Sequence, residues 1–313
     1  MKCRKCRETA VINMAQHKLA LCREHYLEWF AQQTERAIHK YSMFPKNARV
    51  LAAISGGKDS LALWDVLHKL GYAVDGIYIH LGISDGSYSD ESSRLANQFA
   101  EQRGLTLINI HLLDEYHISI LDMSQRSHYS QQRPCAACGL IKRYIMNRVG
   151  VLNGYDVLVT GHNLDDEVAV LLGNTLHWSK ELLPRQSPVL QGTDGFIRKA
   201  KPLCRFYERE TAAYALLEGI EYVYDECPYA VGGTSYEYKE ILNRLEEKQP
   251  GSKLAFYQSF LNVRADGFFN VEAARPVELK RCVRCGQPTT TETCAFCRLV
   301  YEHNGKTTSE NEQ

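Results

Sequence analysis

The sequence predicts an α/β protein in which a parallel-sheet domain is flanked at both ends by small cysteine-stapled fingers. Three observations carry this expectation. Short β-branched runs alternate with amphipathic stretches from about Lys46 to Asp225, as crossover-connected parallel strands do. The first such run closes on a glycine turn, Ser55-Gly56-Gly57, that opens directly into a helical pattern. Eight of the 11 cysteines form four CxxC pairs, and those pairs sit at three places that divide the chain.

The N-terminal segment, 1–30, reads Cys3-Arg4-Lys5-Cys6, then fifteen residues, then Cys22-Arg23-Glu24-His25. This two-knuckle spacing suits a closed tetrahedral zinc site, and a stretch so short and so poor in apolar residues needs a metal staple to fold. The main domain is expected over 31–270. Arg49 to Ile54 reads as a buried strand, Asp59 to Leu70 as a helix and Ala73 to Leu81 as a second strand. A helix over Ser89 to Arg103 leads to a third strand over Leu105 to Leu113. Gly139 to Leu152 reads as a helix, Asp156 to Thr160 as a fourth strand and Leu164 to Asn174 as the next helix. Every crossover is long enough for right-handed parallel pairing. Further helices are expected over Tyr207 to Leu217, Tyr236 to Glu247 and Lys253 to Val263. The C-terminal finger, 271–301, carries Cys282-Val283-Arg284-Cys285 and Cys294-Ala295-Phe296-Cys297. Residues 302–313 form a polar tail.

Composition narrows the class. In 313 residues, 44% are apolar and 24% charged, and there is no apolar run of 18 or more, so no membrane span is expected. The opening MKCRKCRETA has no apolar segment behind it, which argues against an export signal and for a cytoplasmic protein. In that reducing setting the cysteines point to metal or redox chemistry. Lys+Arg and Asp+Glu each total 37, so any nucleic-acid contact must come from local clustering.

Two glycines let the backbone at Gly56 and Gly57 approach an anion, while first-turn N–H groups, Ser55, Lys58 and Ser60 supply donors. The loop is neither a Walker A sequence nor a dinucleotide GxGxxG turn. It resembles instead the SGGxDS loop of ATP pyrophosphatase (PP-loop) enzymes. The resemblance covers essentially the whole chain. Both fingers, Pro134-Cys135-Ala136-Ala137-Cys138-Gly139 and Gly161-His162-Asn163-Leu164-Asp165-Asp166-Glu167 are similar to the tRNA 2-thiolation enzymes of the TtuA and TtcA group. The run Ala20 to Tyr26 and the C-terminal finger are closest to the TtuA branch, which thiolates a T-loop 5-methyluridine; the TtcA branch lacks such fingers.

Cys135 and Cys138 lie between Ser124 and Gly150, a stretch with five basic residues (Arg126, Arg133, Lys142, Arg143, Arg148) and no acidic one. Cationic neighbours and a following helix N-terminus favour thiolate there. A third zinc knuckle or a buried pair are the alternatives that spacing leaves open. The resemblance implies that Cys135, Cys138 and Cys227 hold a 4Fe-4S cluster through three thiolates, with one iron free to carry sulfur. It also implies catalytic roles for Asp59, Lys142 and Asp166, with Asp59 acting through Mg2+ on ATP. Ala53, Ser55, Gly56, Gly57, Lys58, Ser60, Ile79, His80 and Gly161 then bind ATP, and Ile79 and His80 border the adenine. Cys204 is read as a packing residue and His162 as a packed loop histidine.

The implied reaction adenylates the C2 oxygen of a uridine-type base, releases pyrophosphate and replaces the oxygen by sulfur as AMP leaves. The implied cofactors are ATP, Mg2+, the cluster and two Zn2+. The implied partners are tRNA, a ubiquitin-like carrier ending in a thiocarboxylate and a second copy of the chain. Arg185, Arg198, Lys199, Lys201, Arg205 and Arg209 form a candidate phosphate-tracking stretch, with Phe196, Phe206 and Tyr207 as core or as stacking platforms. A wobble-uridine thiolase, a cluster-free persulfide route and a zinc-finger RNA-binding module without catalysis are the rival readings.

Overall fold

The computed structural model describes residues 1–83, 87–120, 134–225, 227–229, 234–269 and 279–301. Arg126, Arg133 and the polar tail therefore lie outside the described residues.

The N-terminal finger is a hairpin of β1 (Ile12–Met14) and β2 (Leu19–Leu21) that feeds α1 (Arg23–Lys40). Because α1 is continuous, the boundary expected at residue 30 falls inside a helix, and the finger and main domain share that rod. The central strands are β3 (Arg49–Ile54), β4 (Ala73–His80), β5 (Leu107–His111), β6 (Val157–Thr160), β7 (Val189–Leu190) and β8 (Arg198–Ala200). Their order across the sheet is β5-β4-β3-β6-β8-β7. All neighbours are parallel except the β7–β8 edge, a short antiparallel pair that the sequence reading missed.

The crossovers are α2 (Lys58–Lys69), α3 (Ser87–Arg103) and α5 (Pro134–Leu152), with a one-turn α4 (Leu112–Tyr116) after β5. The strand expected to run to Leu113 stops at His111, where its pairing with His80 ends and acidic Asp114 and Glu115 open a helical turn. The helix expected from Gly139 begins at Pro134, whose fixed φ suits a first helical position. That puts both central cysteines on the helix, three residues apart and on one face. After β6 come α6 (Leu164–Leu176), α7 (Glu208–Leu217), α8 (Thr234–Lys248) and α9 (Ser252–Ala265). The C-terminal finger pairs β9 (Lys280–Arg281) with β10 (Pro288–Thr289) and ends in α10 (Ala295–Tyr301).

Strand alternation divides the core in two. Val50, Ala52 and Ile54 face one side with Trp64, Tyr26 and Phe30, whereas Leu51, Ile77 and Leu158 face the other with Ile141 and Ile145. Each finger joins one of these cores. Cys3, Leu21 and Cys22 belong to the first, and Cys282, Cys294 and Phe296 to the second. Phe296 lies flat on Tyr144 of α5 at 3.6 Å between ring centres and meets Tyr116 edge-on. The C-terminal finger thus braces the helix that carries Cys135 and Cys138.

Strand order reverses between β3 and β6, the switch point at which open parallel sheets form a crevice at their C-terminal ends. The phosphate-loop candidate leaves β3 at that point. No helix among the described residues is long and apolar enough to cross a membrane.

Candidate active site

A cavity of about 380 Å³ fills the switch point. Ala53 lines it from β3, Ser55 from the first βα turn, Asp59 and Ser60 from the start of α2, Ile79 from β4, Gly161 from the turn after β6 and Asp166 from the first turn of α6. Cys138, Lys142 and Cys227 complete it. Residues from both halves of the sequence expectation, the loop and the sulfur ligands, therefore face one space.

Local forces shape the loop. Gly57 caps α2 from extended backbone and Gly56 takes φ +77, a conformation that a side chain would strain. The Ser60 hydroxyl donates to the Gly57 carbonyl at 2.9 Å and accepts the Ser55 N–H at 3.2 Å, which closes the turn. Gly161 faces it so closely that a Cβ there would stand 2.8 Å from the Asp59 carbonyl and the Ser60 nitrogen. Gly57 and Lys58 line an adjoining pocket of about 250 Å³, which shares Ser55, Asp59 and Tyr88 with the main cavity.

Alternating charges connect the loop to α6. Lys58 Nζ lies 3.2 Å from Asp59 and 2.8 Å from Glu208, and Lys239 Nζ lies 3.3 Å from Glu208 and 2.6 Å from Asp166. Burial holds the Asp59 carboxyl above its ordinary range; Lys58 and the Thr211 hydroxyl, which donates to it, oppose the shift, while Asp166 and Glu208 add to it. Glu208 is held below its range because Lys58 and Lys239 outweigh burial, and Lys239 is raised by Asp166 and Glu208. Lys58 and Lys239 thus balance the three carboxylates, and of these Asp59 and Asp166 line the cavity. Asp166 has a second, structural duty: it accepts the Asn163 N–H while Asn163 caps the Asp166 N–H, both at 3.1 Å.

The central cysteines need one correction. Burial pushes the Cys138 thiol up, with Lys142 opposing it, where the basic surroundings had suggested a lowered thiol. Cys135 is exposed, lies outside the cavity lining and donates to the Tyr229 carbonyl at 3.1 Å. Among the described residues, only the two finger sets bring three or more ligand atoms within 4.8 Å of one another. They are Cys3, Cys6, Cys22 and His25, and Cys282, Cys285, Cys294 and Cys297, and each fits a tetrahedral zinc site. Within each set the thiols share charge unevenly: backbone N–H groups bring Cys3 and Cys282 down to about 6 against burial, while burial and the neighbouring thiols push Cys6, Cys294 and Cys297 up. Cys135, Cys138 and Cys227 form no such set: Cys138 and Cys227 line the cavity, and Cys135 lies outside its lining.

Other expectations divide. His80 does not line the cavity: its ring stacks on His111 at 4.8 Å and pairs with Asp90 at 2.8 Å. Strand alternation sends it to the face opposite Ile79. His162 lines the cavity and shares a 2.7 Å hydrogen bond with Thr160. Cys204 is fully buried with its thiol pushed up to about 12, as a packing residue should be. The candidate phosphate-tracking stretch is largely committed internally: Lys201 pairs with Glu167 at 2.6 Å, Arg198 donates to Gln191 and to the Met43 carbonyl, and Arg209 donates to Gln16. Phe206 and Tyr207 are core. Glu208, Thr211 and Lys239 were missed, because only the tertiary fold brings α7 and α8 to the loop. The only local hint was the i, i+3 spacing of Glu208 and Thr211.

Comparison with known proteins agrees with this geometry. The family model "2-thiouridine synthetase TtuA, N-terminal LIM domain" matches residues 2–27, and "PP-loop domain" matches 27–231. The chain is 48% identical to a tRNA-5-methyluridine(54) 2-sulfurtransferase of Thermus thermophilus over 96% of this chain and 91% of that one. It is 43% identical to that of Thermotoga maritima over 96% of each. Among solved structures, the U34-tRNA thiolase NcsA from Methanococcus maripaludis with its 4Fe-4S cluster superposes with a TM-score of 0.78 at 25% identity, covering 96% of this chain and 95% of that one. The chain therefore belongs to the PP-loop tRNA-5-methyluridine(54) 2-sulfurtransferase family.

Proposed function

We propose that the protein is an ATP-dependent sulfurtransferase that replaces the C2 oxygen of a T-loop 5-methyluridine in tRNA by sulfur. The observation that carries this reading is the single cavity shared by the phosphate loop, Lys142, Cys138 and Cys227. In the first half-reaction the base's C2 oxygen attacks the α-phosphorus of ATP, the α–β bond breaks and pyrophosphate leaves. Loop N–H groups, Ser55, Ser60 and Lys58 hold the phosphates, with the adenine toward Ala53, Ile79 and Gly161. Asp59 and Asp166 would hold Mg2+ against them. In the second half-reaction sulfur bonds to C2 and the C2–O bond breaks, releasing AMP with the original oxygen.

Cys135, Cys138 and Cys227 would hold the 4Fe-4S cluster, which supplies an iron with a free position for an incoming sulfur. Lys142 touches Cys138 and lines the cavity, so it is suited to stabilise negative charge on the entering sulfur or the departing oxygen. The two finger sets would hold structural zinc. The sulfur donor in this reading is a ubiquitin-like carrier ending in a thiocarboxylate, an assignment that rests on the family likeness alone. The homodimer likewise rests on the family likeness alone.

A wobble-uridine thiolase is favoured by the structural likeness to NcsA, yet the 48% relative outweighs a 25% neighbour. Incubating the cluster-loaded protein with undermodified tRNA, Mg-ATP and sulfide, then digesting the tRNA for mass spectrometry, tests the reading. Thionucleoside at T-loop position 54 supports it, and thiolation only at position 34 replaces it with the rival.

A further inference from the structure

The segment between α7 and Cys227 holds an arrangement that the proposed chemistry has not yet used. Tyr222 and Tyr224 sit with ring centres 4.5 Å apart at 38°. Tyr224 is 78% exposed, whereas Tyr222 is half-buried beneath it. The Val223 N–H donates to the Gly56 carbonyl at 3.0 Å, so the pair is pinned directly to the phosphate loop. Both rings line the 250 Å³ pocket with Gly57, Lys58 and Asp59, and this pocket opens toward the main cavity through Ser55, Asp59 and Tyr88. Three residues after Tyr224 the chain reaches Cys227, inside that cavity.

The chemistry of this pocket selects its occupant. Lys58, at the inner end, is the cation assigned to the ATP phosphates, whereas the outer end is walled by Tyr222, Val223, Tyr224 and the Asp225 carboxyl and does not favour a second anion. A flat, neutral ring is the complementary ligand, because an aromatic face held against a second ring offers stacking area at little entropic cost. Unstacked RNA bases are recognised on such surfaces. We propose that Tyr224, backed by Tyr222, is the platform on which a base of the RNA substrate stacks as the target uridine is drawn between the phosphate loop and Cys227. The assignment rests on the sulfurtransferase reading and adds to it the group that grips the RNA.

The test uses the full-length protein, a fluorescein-labelled T-arm hairpin RNA and the substitutions Y224L, Y224F and Y224W, each checked for an unchanged thermal midpoint. Leucine keeps apolar bulk without a ring, so it separates stacking from burial. Y224L should weaken hairpin binding by about 10- to 100-fold without ATP present, and raise the KM for tRNA in step. KM for ATP should stay within twofold. Y224F and Y224W should bind like the parent. The salt dependence of binding should keep its slope, since no phosphate contact is lost. Hairpin affinity in Y224L within twofold of the parent overturns the proposal, as does a parallel rise in the KM for ATP, which would make the pocket a nucleotide wall. Ring-dependent binding upholds the platform even where no thionucleoside forms, an outcome that would refute the sulfurtransferase reading alone.

Discussion

Lys239 of α8 and Asp166 of α6 form a 2.6 Å ion pair beside the cavity, although 73 positions separate them in sequence. The Asp166 carboxylate is thereby held at two points, by the Asn163 N–H and by an ammonium. Lys239 also reaches Glu208, and Glu208 reaches Lys58, so one line of charges fixes both ends of the proposed phosphate site.

Removing the central cation should disturb that line more than it disturbs folding. The substitution Lys239→Met is expected to lower thiolation by about 100-fold, the scale on which small misplacements of reacting groups act. Lys239→Arg should retain most of the rate. Steady-state kinetics with tRNA and ATP read this, and a methionine variant with the parental kcat contradicts it.

Gly161 faces the loop without room for a methyl group. Gly161→Ala places a Cβ 2.8 Å from the Asp59 carbonyl and the Ser60 nitrogen, both backbone atoms that yield only by moving the turn. The expected result is a loss of about 1–3 kcal/mol in urea unfolding, with ATP affinity by titration calorimetry down at least tenfold. Parental ATP affinity in this variant would show that the turn does not hold the phosphates.

The C-terminal finger should act on the site through packing. Phe296 is buried and lies on Tyr144 of α5, two residues beyond Lys142. Phe296→Ala should cost about 3–5 kcal/mol by denaturant unfolding. Cys285→Ser should lower bound zinc from two to one per chain by elemental analysis. Full zinc occupancy in the serine variant would remove Cys285 from the ligand set.

Much of this was legible beforehand, because the loop and the fingers are local. Ser55 to Ser60 are contiguous, and the knuckle spacings fix their own geometry. The buried strands also read correctly, since Val50 and Leu51 are apolar on both faces. What failed was set by partners far along the chain. That Ile79 and not His80 faces the cavity depended on strand register and on Asp90. The Cys138 thiol depended on burial against the second core, which outweighed the basic residues counted in the sequence. Glu208, Thr211 and Lys239 carry no motif and reach the site only through the packing of later helices, and Tyr224 reaches it through the Val223 bond to Gly56. Cys227 was singled out by family resemblance and by nothing in its spacing.

Cys204 supplies a pH test independent of the site. Its folded thiol is pushed up to about 12 by burial, from an ordinary value near 9. A raised thiol stabilises the fold fully below the unfolded value and loses that contribution as pH climbs toward the folded one. The stability advantage of the parent over Cys204→Ala should therefore be constant below about pH 8.5 and shrink steadily above it. Urea unfolding of both proteins across that range measures the difference, and a constant gap up to pH 11 contradicts the assignment.

Thiolation by this site requires that one nucleobase be served by both the phosphate loop and the three central cysteines. The direct measurement is a single reaction in which released pyrophosphate and thionucleoside are both counted, for the parent and for Cys227→Ser. The parent should yield the two products in equal amounts, and the serine variant should still release pyrophosphate in the presence of tRNA while forming no thionucleoside. Parental levels of thionucleoside from Cys227→Ser would contradict it.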